Sequence, residues 1–351
     1  MQRLLSLATL GVLGGFVWMF LSGGALDQLG QTAGGGAPPA AGAWNSGTVP
    51  WPQAPPPSAP AVQPVGVGSA APPADVGPTI KIAAFNIQVF GQKKASNPAV
   101  MATLRRIIRE SHGVASQKIR TQDDYFIPNF VSSVNRPAGD VERRYDYVVG
   151  PRLGNSTQTE QYAFLWDTDR VMCSRSSVYT VGDPENLLHR EPLVATFATR
   201  INPDEAFTFT LINVHTDPSS TALRGELDAL AEVYRVVRRA GGNEDDVIML
   251  GDFNASDANL GRLGQIPGMT PLIRGVFTNT RQNKLYDNIL IHGPSTTEYT
   301  GRSGVLDLLR EYNLTLAQAE LVSDHFPVWA EFSAYERDQT GRIASRRNAA
   351  R

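Results

Sequence analysis

From Thr79 onward, short apolar runs alternate with polar breaks, and their spacing sorts them into strands and helices. "TIKIAAFNIQVFG" alternates apolar and polar positions and predicts a buried strand ending at Asn86. "SNPAVMATLRRIIRE" offers a polar cap with Pro98 just inside, then Val100, Leu104, Ile107 and Ile108 at helical spacing. "DDYFIPNFVSSVN" reads as a further helix. "RYDYVVG", "QYAFLW", "RVMCSRSSVYTV", "PLVATFA" and "AFTFTLINVH" read as strands. In "STALRGELDALAEVYRVVRRAGG", Leu223, Leu227, Leu230, Tyr234 and Val237 form one helical face, and Gly241 and Gly242 end it. "DVIMLGDFN" is a continuous apolar run, the mark of a central strand; "LYDNILI" and "HFPVWAEF" add two more. Strands outnumber helices, yet helices separate some of them, which predicts an α/β arrangement of packed sheets with outer helices. One segment resists. "SHGVASQKI", Ser111 to Ile119, stands where a buried strand is expected, is too polar for one, and carries Lys118 near its end.

The chain ahead of Thr79 has a different texture. Leu4 to Leu21 is uncharged and preceded by Arg3; its 18 residues are long for a signal-peptide core and just enough for a membrane span. Ser22 to Ala25 are small, so an uncleaved anchor and a cleaved signal both stay open. Either way the basic residue before the run predicts export, with the protein secreted or membrane-anchored in the cell envelope. The division expected is 1–22 hydrophobic signal or anchor, 23–78 Pro/Gly/Ala-rich disordered linker, 79–333 folded domain, and 334–351 polar basic tail. The single cysteine, Cys173, excludes an intramolecular disulfide and reads as an inert core thiol. The net charge of −2 gives no global attraction to nucleic acid, so such a partner needs a local patch or a metal.

Candidate chemistry sits at the ends of apolar strands: Asn86; His215 and Asp217 in "INVHTDP"; Asp252 and Asn254 in "IMLGDFN"; Asp324 and His325 in "SDHFPV". Carboxylates hold a hard cation such as Mg²⁺ or Ca²⁺. A cation and side-chain amides stabilise charge on a phosphate. Histidines paired with carboxylates move protons near neutral pH. Each piece alone is weak, but together they suit phosphoryl chemistry.

The segments "FNIQVFG", "EQYAFLW", "HREP", "INVHTDP", "IMLGDFNA", "LYDNILI" and "SDHFPV" occur in one order across nearly all of Thr79 to Phe332. In these the chain resembles the endonuclease/exonuclease/phosphatase superfamily, and within it the deoxyribonuclease I-like branch. That resemblance implies a four-layer α/β sandwich, two mixed β-sheets packed face to face with helices outside. It implies a phosphodiesterase, an endonuclease on DNA, with RNA in place of DNA left open. His215 would pair with Glu160 and His325 with Asp287, flanking the scissile phosphate, one pair activating water and the other protonating the leaving oxygen. Asp252 would orient the nucleophile or hold metal, Asn86 and Asn254 would contact the phosphate or the metal shell, and Asp324 would complete a metal edge for Mg²⁺, Ca²⁺ or Mn²⁺. Arg120, Arg190, Asn155 and Ser156 fall where the family contacts nucleic acid. Tyr286 reads as ordinary core packing, and a monomer is expected.

Two departures stand out. Ser256 occupies the place of the first cysteine of a disulfide common in the family. Aligned without a gap, the family's Gln-Glu pair falls on Gln117 and Lys118, so an ammonium stands where the principal metal-holding glutamate is expected. A protonated lysine has no lone pair with which to ligate a cation. Three readings stay open: metal-dependent cleavage through the remaining ligands, partial replacement of the metal by the Lys118 ammonium, and a silent relative that only binds nucleic acid or another partner. A phosphatase or phospholipid phosphodiesterase of the same superfamily is the alternative activity.

Overall fold

A computed structural model describes residues 78–137, 143–154, 159–241 and 244–337. The signal or anchor and nearly all of the linker lie outside the described residues, as do Asn155, Ser156 and the tail from 338. Among the described residues no helix is long and apolar enough to cross a membrane.

The strands in chain order are β1 Thr79–Phe90, β2 Gly113–Ile119, β3 Tyr145–Val149, β4 Gln161–Asp167, β5 Val171–Thr180, β6 Leu193–Thr199, β7 Thr208–His215, β8 Val247–Asp252, β9 Met269–Pro271, β10 Asp287–His292, β11 Tyr299–Val305 and β12 Val328–Ser333. The helices are α1 Gln92–Ala95, α2 Pro98–Arg109, α3 Phe126–Val134, α4 Ser220–Ala240, α5 Gly261–Gly264, α6 Leu308–Glu311 and α7 Leu316–Val322. They build two six-stranded sheets, β11-β12-β1-β2-β4-β3 and β5-β6-β7-β8-β10-β9. Each is antiparallel except at its centre, where β1 runs parallel to β2 and β7 parallel to β8.

The inner faces meet through Ile82, Phe164, Phe197, Phe209, Ile289 and Phe332. Outside the first sheet, Leu104 and Ile108 of α2 and Phe130 of α3 cover Phe85 and Leu165. Outside the second, Leu227, Leu230 and Tyr234 of α4 cover Ile212 and Met249. Helix, sheet, sheet, helix is the four-layer sandwich expected. Each fully buried aliphatic or aromatic side chain contributes roughly 1.5–3 kcal/mol of burial free energy, so three contiguous clusters stabilise the domain without a disulfide. Cys173 is half-buried against the inner core, and burial pushes its thiol up to about 11. The helix signals hold: the Asn97 side chain accepts from the Ala99 and Val100 backbone, with Pro98 in the first turn.

The polar stretch is a true central strand. β2 pairs in parallel with β1 and antiparallel with β4, and six of its seven residues are buried. Part of its polarity is matched by partners, although the Ser116 hydroxyl and Gln117 Oε1 have none. Just before it, the His112 Nδ1 accepts the Lys81 N–H at 2.8 Å. Gln117 reaches across to the other sheet, with its Nε2 2.7 Å from Asn213 Oδ1. At its end the ladder slips: registers shift between Asn86 and Phe90 on β1 and between Ser116 and Ile119 against β4. Lys118 (φ 62°) and Val89 (φ 47°) take left-handed backbone there, a bulge that re-aims side chains and stores strain.

Other boundaries move. β1 continues past Asn86 to Phe90. β9 and β11 have no alternating apolar pattern, being a three-residue edge and an exposed edge strand containing Gly301 at φ 85°. The domain also runs beyond Ser333: Ala334 is buried, its N–H donates to Pro78 O, and its carbonyl accepts from Phe207 N. The first four residues assigned to the tail therefore belong to the fold.

Candidate active site

The carboxyl-terminal ends of β7 and β8 deliver His215 and Asp252, directly paired in register. β10 enters beside them with Asp287 opposite Asp252. The first sheet brings Asn86 from β1, while Glu160 immediately precedes β4 and the "SDH" turn precedes β12. One edge of the sandwich thus gathers side chains that lie up to hundreds of residues apart.

His215 Nδ1 lies 2.9 Å from Glu160 Oε2, and His325 Nδ1 lies 2.8 Å from Asp287 Oδ2. The free Nε2 atoms of both rings face one oxygen, Asp252 Oδ2, at 3.5 and 3.6 Å. Asn86 Nδ2 donates to that same oxygen at 2.8 Å, and the Asn254 N–H donates to Asp252 Oδ1 at 3.0 Å. Asn254 is at φ 48°, and its side-chain amide donates to Thr216 O.

The two pairs differ electrostatically. Glu160 is shared with two guanidiniums, Arg190 Nε at 3.0 Å and Arg120 Nε at 3.4 Å. Burial opposes its charge, but the His215 hydrogen bond, Arg190 and Lys118 hold it below the usual carboxylate range. Asp287 accepts from the Thr278 hydroxyl at 2.8 Å and has His325 as its cation. Burial raises Asp287 to about 6 against the pull of His325. Burial also disfavours charge on His325, yet Asp287 and Asp252 override it and raise the imidazole to about 9. Asp252 is held low: burial opposes its charge, and His325 and His215 outweigh it.

Asp324 extends this edge. Its Oδ1 is 3.8 Å from His325 Nε2, and its Oδ2 accepts from Gln88 Nε2 at 2.8 Å. Lys118 is half-buried and, among the described residues, forms no ion pair. Burial pushes Lys94 down to about 8, with Asp324 opposing this and Lys118 adding to it; the Lys94 ammonium donates to Leu321 O and Val322 O.

Whether this edge suits a cation can be judged from its unmet acceptors. Asn86 is fully buried and its Oδ1 has no hydrogen-bond partner, and neither does Asp324 Oδ1. Asp252, Asp287 and His325 also bring ligand atoms within 4.8 Å of one another. In that trio, however, Asp287 and His325 already bind each other and Asp252 Oδ2 already accepts from Asn86, so the open capacity lies at Asn86 and Asp324.

Every catalytic residue expected from the sequence is brought together here. Arg190 is only 9 % exposed, with Nη1 directed to His215 O; it braces the Glu160–His215 pair as well as facing the edge. Asp217 is not part of the centre, since it turns toward His189 and the start of α4. Tyr286 is not core packing: it is only half-buried, with its ring centroid 6.0 Å from that of His325. Three supporting residues went unread. Gln88 holds Asp324. Ser323 Oγ donates to Asn86 O and accepts from His325 N. Thr278 holds Asp287. Gln88 and Ser323 lie inside the recognised motifs, two residues from Asn86 and His325, which was the available signal; Thr278 had none.

Two histidine–carboxylate pairs meeting over one aspartate, on the edge of a two-sheet sandwich, define a phosphoesterase-type hydrolase. Comparison with protein-family models finds no match. Sequence relatives are clear. Deoxyribonuclease-1-like 1 of Cricetulus griseus is 31% identical over 265 residues, 72% of this chain and 84% of that protein. Deoxyribonuclease gamma of Rattus norvegicus is 30% identical over 267 residues, 71% of this chain and 83% of that protein. Deoxyribonuclease-1 of Homo sapiens is 30% identical over 264 residues, covering 71% and 91%. Among solved structures, an endonuclease/exonuclease/phosphatase from Bacteroides vulgatus has TM-score 0.49 at 15% identity, covering 75% of this chain and 100% of that one. A family protein from Bacteroides thetaiotaomicron has TM-score 0.48 at 15% identity, covering 72% and 97%. The fold rests on the sheet order above and the family on the sequence relatives: the chain belongs to the deoxyribonuclease I-like family of hydrolases.

Proposed function

We propose that this chain is an exported endonuclease that hydrolyses phosphodiester bonds of DNA. The observation that carries this is the convergence of His215 and His325 on Asp252 Oδ2, each ring held from behind by its own carboxylate. The roles follow from the asymmetry of the pairs. His325, held protonated by Asp287 and Asp252, is the general acid that gives its Nε2 proton to the leaving oxygen. His215, whose Glu160 partner shares its charge with Arg120 and Arg190, is the base that takes a proton from the attacking water. The new P–O bond forms as the P–O bond to the leaving oxygen breaks, and both proton transfers stay within reach of Asp252. The amides of Asn86 and Asn254 and the Arg120 guanidinium stabilise phosphate charge.

The residues at the edge fit a hard cation. Asn86 Oδ1 and Asp324 Oδ1 would hold it, and when bound it would offset charge on the phosphate. Lys118 brings positive charge to the same place and supplies part of that offset itself. Mg²⁺ is the cation we assign, held more weakly than it would be beside a glutamate. The hydrophobic run Leu4–Leu21 would deliver the domain to the envelope or outside it, acting as a monomer.

Nicking of supercoiled plasmid in Mg²⁺, Mn²⁺, Ca²⁺ and EDTA tests the reading, with a phosphoinositide and a phosphomonoester assayed beside it. Metal-stimulated nicking that His215→Ala and His325→Ala abolish is expected. Turnover of the lipid or the monoester with no nicking in any metal would replace the DNA assignment.

A further inference from the structure

A second acidic cluster lies at the other pole of the sandwich. Asp246 immediately precedes β8, whereas Asp252 ends it, so six residues of strand, about 20 Å, separate the two clusters. Glu298 immediately precedes β11, and Glu336 follows β12. The three carboxylates come from both sheets, and their nearest ligand oxygens lie within 4.8 Å of one another.

What distinguishes the cluster from a chance acidic patch is its unmet bonding. Asp246 is 2% exposed and Glu298 0%, yet Asp246 Oδ1 and Glu298 Oε2 have no hydrogen-bond partner. The buried Thr296 hydroxyl lies beside Asp246. The rest of the cluster is anchored. Glu298 Oε1 accepts from Arg337 N at 2.6 Å and from the Thr297 hydroxyl at 3.2 Å, and Glu336 Oε2 accepts from Thr208 N at 3.3 Å. Glu244 caps the Asp246 N–H at 2.8 Å and adds a fourth carboxylate nearby. Against these stands the Arg337 guanidinium, whose Nη1 donates to Thr297 O. Buried carboxylates this close are costly without compensation.

We propose that Asp246, Glu298 and Glu336 bind a structural Ca²⁺ that staples the two sheets together at the end opposite the catalytic edge. Ca²⁺ takes oxygen ligands at about 2.4 Å, so two ligands facing each other across it are about 4.8 Å apart. A dedicated set of protein oxygens suits Ca²⁺, whereas Mg²⁺ demands near-ideal octahedral geometry at about 2.1 Å and keeps several of its waters. The Thr296 hydroxyl and water complete the shell. The same environment explains why Asp246, raised to about 9 by burial and by the charges of Glu298, Glu336 and Glu244, holds a proton when no cation is present.

The test uses the full chain, stripped with EDTA and dialysed, then warmed with and without CaCl₂ or MgCl₂ at about 10 mM. A site of ordinary extracellular affinity raises Tm by about 3 °C or more in Ca²⁺. The same shift is expected in Asp324→Asn, which alters only the catalytic edge, and is lost in Glu298→Gln and Asp246→Asn. If those two variants fail to fold, Ca²⁺ calorimetry on the wild type and on Asp324→Asn decides: one site retained in both supports the staple. Absence of both shift and binding heat in the wild type overturns it, as does a Ca²⁺ response lost in Asp324→Asn. These readouts are stability and binding, so they stand whether or not the chain cleaves DNA.

Discussion

Gln117 donates from Nε2 to Asn213 Oδ1 at 2.7 Å, joining the two sheets by one amide pair at the centre of the sandwich. Both residues are fully buried, and Asn213 Nδ2 donates in turn to the carbonyls of Ser116 and Ala163. Gln117 is the neighbour of Lys118, and Asn213 stands two residues before His215, so the pair sets the relative position of the two strands that carry the site. Asn213→Ala leaves Gln117 Nε2 with Ala115 O alone and takes the Asn213 donor from the carbonyls of Ser116 and Ala163. A buried polar group left unpaired costs about 1–3 kcal/mol, and thermal denaturation should show Tm lower by several degrees. An unchanged Tm would mean that the amides are carried by water instead.

The convergence on Asp252 makes a kinetic prediction. If His215 and His325 transfer protons in one step, each alanine variant should lose roughly 10²–10⁴-fold in nicking rate. The double variant should lose far less than the product of the two, because residues acting as a unit are not additive. Asp287→Asn should lower the rate too, since it removes the charge that keeps His325 protonated. Plasmid relaxation timed under single-turnover conditions measures all four. Strictly multiplicative losses would show that the histidines act in separate steps.

How much of this could be read from the chain follows from where chemistry interrupts pattern. β8 and α4 were plain: a short continuous apolar run between polar turns fits a buried strand, and a 3.6-residue stripe fits an amphipathic helix. His215, Asp252 and His325 were plain for the converse reason: each ends or adjoins an apolar strand that has no packing use for it. β11 was not legible, because an exposed edge strand has no buried face to impose alternation. β2 reads as too polar for a buried strand because strand polarity is usually a cost. Here His112 and Gln117 find partners 31 and 96 residues away, information no local window contains. Thr278 and the half-buried setting of Tyr286 depend on tertiary approach alone.

His112 gives a pH prediction of definite sign. Burial, then Arg170, Arg143 and Lys81, lower its imidazole to about 4 from the ordinary 6.5, and its Nδ1 accepts the Lys81 N–H only when unprotonated. A histidine with a depressed folded pKa contributes stability that is present above 6.5 and lost as pH falls from 6.5 toward 4. The lost contribution is at most about 3 kcal/mol. Urea denaturation at pH 7 and pH 4.5 should show a drop in the wild type larger than in His112→Asn, whose Oδ1 can accept the same N–H without titrating. Equal drops in both proteins would place the acid sensitivity elsewhere.

Lys118 offers the most direct test of the catalytic edge. Its left-handed backbone sits in a bulge shared by β1 and β4, so the side chain is aimed by the sheet rather than by a partner. Its charge is felt by both Lys94 and Glu160, and Asn86 Oδ1 and Asp324 Oδ1 have no hydrogen-bond partner. Replacing +1 by −1 beside a cation site changes two interactions at once. A unit pair at 4 Å and effective dielectric 20 is worth about 4 kcal/mol, less where solvent enters. Lys118→Glu should therefore lower the Mg²⁺ concentration for half-maximal nicking by at least about tenfold, and Lys118→Ala should fall between it and the wild type. Nicking measured across a Mg²⁺ series ending in EDTA separates the roles. If cleavage in EDTA persists in the wild type and disappears in Lys118→Ala, the ammonium itself supplies the phosphate's counter-charge. If all three proteins share one metal dependence, Lys118 points its charge away from the site and the cation is held without reference to it.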